Sequence, residues 1–69
     1  MEQENQQIKE RILRLADVKG RTGLSRSTIY LNISNGTFPR HISLGARCVG
    51  WLESEIDKWI AARIQKSRR

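Results

Sequence analysis

Catalysis and metal binding need nucleophiles, acids or ligand sets at workable spacing, and this sequence offers few. It holds one cysteine, Cys48, and one histidine, His41. A single thiol excludes an internal disulfide, and one Cys with one His does not make a zinc site. No Ser/His/Asp set, carboxylate pair or phosphate-binding glycine loop stands at usable spacing, so neither an enzyme nor a bound cofactor or metal is expected. The residue types present in quantity are basic. There are 13 Lys and Arg against 7 Asp and Glu, a net charge of +6. Residues 1–10 carry three Glu and one Lys, or −2; residues 11–50 carry seven basic side chains and only Asp17, or +6; residues 51–69 carry five basic and three acidic, or +2. A basic stripe on a small chain reads as an electrostatic footprint for nucleic acid. A membrane surface or an acidic protein is the competing partner on charge alone.

The elements that must hold these charges are few. At 69 residues the chain makes one small domain, with a small core. No apolar run approaches the roughly 18 residues of a membrane span. The opening MEQENQQIKE lacks the basic-then-apolar order of a secretory signal, and cytoplasmic, nucleoid-associated residence is the expectation. Residues 1–8 have only Met1 and Ile8 as apolar side chains, which predicts a disordered start. The chain divides into a flexible segment over 1–12, a domain over 13–66 and a basic tail over 67–69.

Four units follow. The first is a short helix from about Leu15 to Thr22, held by Leu15 and Val18, with Gly23 just past its end, where a left-handed residue is favoured. The second is a helix capped by Ser25, with Thr28 three positions on and Ile29 and Ile33 on one face; Asn35-Gly36 ends it. Short helix, glycine turn, Ser-capped helix is the layout of a helix-turn-helix. The third unit runs from Phe38 to Trp51. Ile42 and Leu44 alternate, as do Val49 and Trp51, around Gly45-Ala46-Arg47, which predicts a hairpin whose inner face presents all four apolar side chains to the helices. After a helix-turn-helix such a hairpin is a wing. The fourth is a helix from about Glu53 to Lys66, with Ile56, Trp59, Ile60 and Ile64 at helical spacing, acids at its start and bases at its end, and Ser54 with Asp57 as a capping box. The expected fold is α+β: a small winged helix-turn-helix, three helices with a two-stranded hairpin between the second and third.

The run TGLSRSTIY (Thr22 to Tyr30), then NGTFPRHISLG (Asn35 to Gly45), then Ala46-Arg47 and VGWLESEIDKWIAAR up to Arg63 resembles the AlpA family of prophage and genomic-island regulators, relatives of phage excisionases and, more distantly, of the MerR-like winged helix. The resemblance covers about Leu13 to Arg63. Leu31 and Asn32 depart from it, standing where the family usually has a basic or polar residue and then an apolar one. It implies a double-stranded DNA-binding regulator of mobile-element genes, such as an integrase gene, with excisionase work beside an attachment site as a second job.

In helix-turn-helix docking the start of the second helix enters the major groove. That assigns Arg26, Ser27, Thr28, Tyr30 and Leu31 to base edges, Arg26 by two bonds to guanine and Thr28 by its methyl against thymine. Ser25, Lys19, Arg21 and Arg40 are candidates for the phosphate backbone, and His41 and Arg47 for the wing. Each has a plainer reading: Ser25 as a cap, Arg26, Lys19, Arg21, Arg40 and Arg47 as solvated charges, His41 as a surface residue, Tyr30 as a half-buried packing residue. Trp51, Trp59, Phe38, Leu24 and Ile29 are assigned to the core, which leaves few aromatics to stack on single-stranded RNA. Leu31 also fits a protein contact, so an adaptor for an integrase or response regulator is the alternative class. One short recognition helix reads few base pairs, so side-by-side copies or a dimer are expected partners beside DNA; no membrane and no small-molecule substrate is.

Overall fold

The computed structural model describes residues 9–68. In chain order these form β1 (Ile12–Leu13), α1 (Leu15–Thr22), α2 (Arg26–Asn35), β2 (Ile42–Gly45), β3 (Cys48–Leu52) and α3 (Glu53–Ser67). Three helices and a small antiparallel sheet give the expected α+β architecture. The disordered start expected over residues 1–8 lies outside the described residues.

Each helix end has a local cause. The Arg14 backbone N–H donates to the Asp17 carboxylate at 3.1 Å and closes the start of α1. At its end the Thr22 hydroxyl donates to the Val18 carbonyl, and Gly23 turns left-handed at φ 74°, a conformation that costs an L-residue about 1–2 kcal/mol. Two residues later the Ser25 hydroxyl accepts from the Thr28 N–H at 3.2 Å and starts α2. The turn between the helices is therefore as short as a helix-turn-helix requires. α3 has Glu53 and Glu55 in its first turn and Lys66 in its last.

The core collects one side chain each from β1, α1, α2, the α2–β2 connection, β3 and α3, and none from β2: Leu13, Val18, Ile29, Phe38, Trp51 and Ile56 are buried. Tyr30, Ile33, Trp59 and Ile60 pack around them. The indole N–H of the buried Trp51 donates to the Pro39 carbonyl at 3.1 Å, so the ring is buried without an unpaired donor.

Three expectations are corrected. The sheet has three strands in the order β1-β3-β2, because Ile12 and Leu13 pair with Leu52 and Trp51. Residues 10–12 therefore belong to the folded unit. Arg11 accepts the Glu53 N–H, and Glu10 bonds Ser54. Second, Ser54 and Asp57 do not box each other. Both Ser54 donors go to the Glu10 carboxylate, at 2.7 and 3.0 Å, and Asp57 is taken by Arg21. The local motif loses to tertiary partners of full charge. Third, Ile42 and Leu44 do not share a face with Val49 and Trp51. Ile42 stands opposite Gly50, and Ser43 opposite Val49. Directly opposed residues in an antiparallel pair share a face, so Ile42 lies with Gly50 on the outer side. Leu44 joins it there: a side chain at Gly50 would start 3.0 Å from a Leu44 methyl and 2.5 Å from Ile12 Cγ2. A register shift between Ser43 and Gly45 accompanies this change from simple alternation. Ile42 and Leu44 are 37% and 42% exposed.

Candidate nucleic-acid interface

α2 buries Ile29 and half-buries Ile33 against the core, which leaves Arg26, Ser27 and Leu31 on its outer side. Leu31 is 60% exposed, the most open of the large apolar side chains among the described residues. The N-terminal end of the helix is organised by Ser25. Its oxygen accepts from the Thr28 N–H, and its own hydroxyl donates to Thr28 Oγ1 at 3.0 Å. The Ser25 side chain is therefore a cap. The Thr28 hydroxyl keeps its proton for a further acceptor.

Arg26 and Tyr30 are four residues apart and meet: the guanidinium carbon lies 5.2 Å from the ring centroid. Tyr30 is itself braced. It stands edge-on to Trp51 at 6.3 Å and tilted to His41 at 5.9 Å, and His41 meets Trp51 at 5.6 Å. A line of contacts thus runs from the buried Trp51 through Tyr30 to the exposed Arg26. It limits how far the arginine wanders, and a pre-positioned arginine loses less side-chain entropy on binding. His41, expected on the hairpin, sits at its foot, against Tyr30 of α2.

The hairpin is held along β3 and open at its tip. Arg14 Nε–H donates to the Val49 carbonyl at 3.0 Å, which ties β3 to the start of α1. The two turn residues are Ala46 and Arg47. Arg47 has φ 58°, the only non-glycine with positive φ among the described residues. It is exposed and takes part in no ion pair among the described residues.

The candidates for phosphate contact separate. Lys19 is exposed on α1, and no described acid pairs with it. Arg40 is exposed just before β2, on the rim of a groove with Pro39, Ile42, Leu52 and Lys58. Arg21 is committed elsewhere: it bridges Glu53 at 3.2 Å and also holds Asp57, fastening α1 to the start of α3. Its charge is largely neutralised by two carboxylates, a use its sequence position does not reveal because those acids lie more than thirty residues away. The brace of Tyr30 by His41 and Trp51 was equally hidden. The Arg26–Tyr30 contact was not, since i, i+4 residues share a helix face.

Among the described residues no cluster of His, Cys, Asp and Glu could hold a metal ion, and no helix is long and apolar enough to cross a membrane. Comparison with known proteins matches residues 11–64 to the family described as prophage CP4-57 regulatory protein (AlpA). A relative in Escherichia coli K12, the DNA-binding transcriptional activator AlpA, is 48% identical over 59 residues, covering 77% of this chain and 84% of its own. A second, from Enterobacteria phage P4 and called uncharacterized protein ORF88, is 50% identical over 60 residues, covering 87% of this chain and 68% of its own.

Proposed function

The chain belongs to the AlpA family of prophage regulatory proteins, and we propose that it binds double-stranded DNA sequence-specifically and regulates transcription of prophage or genomic-island genes, an integrase gene among them. One observation carries the reading: the exposed start of α2 offers Arg26 stacked on a braced Tyr30, beside a hairpin whose free tip is an arginine. A duplex fits such a pair of projections, with α2 in the major groove and the hairpin as a wing over the adjacent minor groove. Arg26 reads guanine, and Ser27, Thr28 and Leu31 meet neighbouring base edges; Thr28 offers a methyl and a free donor, and Leu31 an apolar surface for a thymine methyl. Lys19, Arg40 and the α2 N-terminus near Ser25 contact phosphates. Tyr30 chiefly orients Arg26, and His41 supports Tyr30 from the wing. Arg21 is left out of the contact set, because Glu53 and Asp57 already hold it.

A single copy reads only a few base pairs, so side-by-side copies or a partner such as the integrase supply the remaining specificity. Work as an excisionase requires the same contacts on attachment-site DNA. Binding belongs in the cytoplasm, where the nucleoid lies.

The test is a salt titration with a random duplex, followed by footprinting across a neighbouring integrase promoter and attachment site. The four cations of the contact set, Lys19, Arg26, Arg40 and Arg47, predict that log K falls against log salt with a slope of up to about −3.6. A flat salt dependence, with no protected site, would assign the chain to protein contact through Leu31 instead.

A further inference from the structure

The side of the sheet that faces away from the core carries an apolar surface that the DNA-binding reading does not use. Ile12 (39% exposed), Ile42 and Leu44 lie on it, together with the half-buried Leu52, the strand partner of Ile12. The patch is continuous because its centre is Gly50, over which Ile12 and Leu44 close. Beyond Ile42 it runs into the groove rimmed by Arg40 and Lys58, with Glu55 as the one acid there. Arg40 and Lys58 form no ion pair among the described residues. Trp51, on the inner side of this sheet, touches Tyr30 of α2, so the recognition helix and the sheet patch are on opposite sides of β3; only His41, at the groove end, meets both the groove and Tyr30.

The geometry points to a docking site for an extended segment of a partner protein that alternates apolar and acidic side chains. Three features choose this occupant. Among the described residues β2 is an edge strand, paired on one side only, and an incoming strand can complete its open backbone groups. Every second side chain of such a strand then falls on the outer side of the sheet, beside Ile42 and Leu44. The basic rim selects acids at the groove end. A second copy of this chain is a poor fit, since four of its five described acids are spent, Glu10 on Ser54, Asp17 on the start of α1, Glu53 and Asp57 on Arg21, and the fifth, Glu55, lies in the groove itself. A phosphate backbone suits the rim but not the apolar floor. The site shares Arg40 with the phosphate contacts of the DNA-binding reading and rests on that reading there; Ile42, Leu44 and Lys58 belong to the groove and sheet face alone.

An eight-residue synthetic peptide alternating leucine and glutamate is the probe, titrated into the full chain without DNA and followed by amide NMR shifts. Saturable shifts over Ile42–Gly45 and at Leu52 are expected. Leu44→Ser and Lys58→Glu should each weaken binding about tenfold or more, the scale of an interface anchor residue, while random-duplex affinity in Leu44→Ser stays within about twofold of the parent. Leu44 is exposed and Lys58 lies on the rim, so both variants should keep the parent melting curve; if Leu44→Ser does not, Lys58→Glu decides. Equal binding of a leucine–lysine peptide, or shifts confined to α2, overturns the proposal. So does self-association that Leu44→Ser abolishes, which would assign the face to a second copy, or a loss of duplex affinity in that variant as large as in a wing-tip variant, which would assign it to DNA. Loss of duplex binding in the parent with peptide binding intact sinks the DNA-binding reading and leaves this site standing.

Discussion

Arg47 sits at the hairpin tip with φ 58°, in a region that costs an L-residue about 1–2 kcal/mol and glycine nothing. Replacing it with glycine removes that strain. Against this, glycine adds backbone entropy to the unfolded chain, worth about 0.5–1 kcal/mol. The net is a folded state more stable by about 0.5–1 kcal/mol, or roughly 2–8 °C in Tm for a domain of this size. No ion pair is lost, since Arg47 makes none among the described residues. On DNA the effect reverses. Arg47→Gly removes one cation from the contact set, so the slope of log K against log salt should shrink by about 0.9, and the affinity loss should be larger beside A·T-rich flanks, where a narrow minor groove attracts arginine. The assays are a thermal melt by circular dichroism and fluorescence anisotropy on two duplexes differing only in the flank. A higher Tm with unchanged affinity on both duplexes would refute the wing. A lower Tm would refute the strain argument and assign Arg47 a structural contact.

Other perturbations follow from single features of the fold. Tyr30→Phe should keep the stacking on Arg26 and stay near the parent in DNA affinity, whereas Tyr30→Ala should lose about 0.5–1 kcal/mol from the cation–π contact and blur base preference; an equal loss in both variants would place the hydroxyl on a phosphate. Two glycine substitutions should move Tm in opposite directions. Gly20→Ala has open space around its new carbon and should stabilise by about 0.5–1 kcal/mol. Gly50→Ala meets Ile12 Cγ2 and the Leu13 carbonyl, at 2.5 and 3.1 Å, and should destabilise by about 1–3 kcal/mol. Glu10 has its carboxyl held below the usual carboxylate range by two hydrogen bonds from Ser54. That lowering stabilises the fold above the unfolded pKa and is lost as pH falls through the folded one. The parent should therefore melt above Glu10→Gln at pH 7, with the gap closing in acid; a gap independent of pH would mean that the charge plays no part.

The helices were legible in the sequence because their ends carry chemistry: Gly23, Ser25 and Gly36 sit where the chain turns, and the Ile29–Ile33 spacing marks the buried side of α2. β1 was not legible, since two residues generate no period, and its partner Leu52 is forty residues away. The hairpin was half legible. Its turn was readable from Gly45-Ala46-Arg47, but alternation alone cannot set the register between two strands, and the shift after Ser43 moved Ile42 and Leu44 to the outer side. Trp59 illustrates a different limit. Helical spacing put it towards the core, where its edge does meet Phe38 at 4.9 Å, yet it is only half-buried, with its N–H on the Thr37 carbonyl and Arg63 over its ring. At the interface, the positions of Arg26, Leu31 and Arg47 were readable from the motif order. The diversion of Arg21 to Glu53 and Asp57 was not, because ion pairs across the fold leave no local pattern.

The claim on which the rest depends is that the start of α2 reads base sequence. The most direct measurement compares the parent and Arg26→Ala on a footprinted site and on a random duplex of equal length, at several salt concentrations. The account predicts a loss of about 1–3 kcal/mol on the footprinted site, and only the smaller loss of one non-specific contact on the random duplex. Equal losses on both would contradict it, showing that Arg26 touches the phosphate backbone and that sequence is read elsewhere.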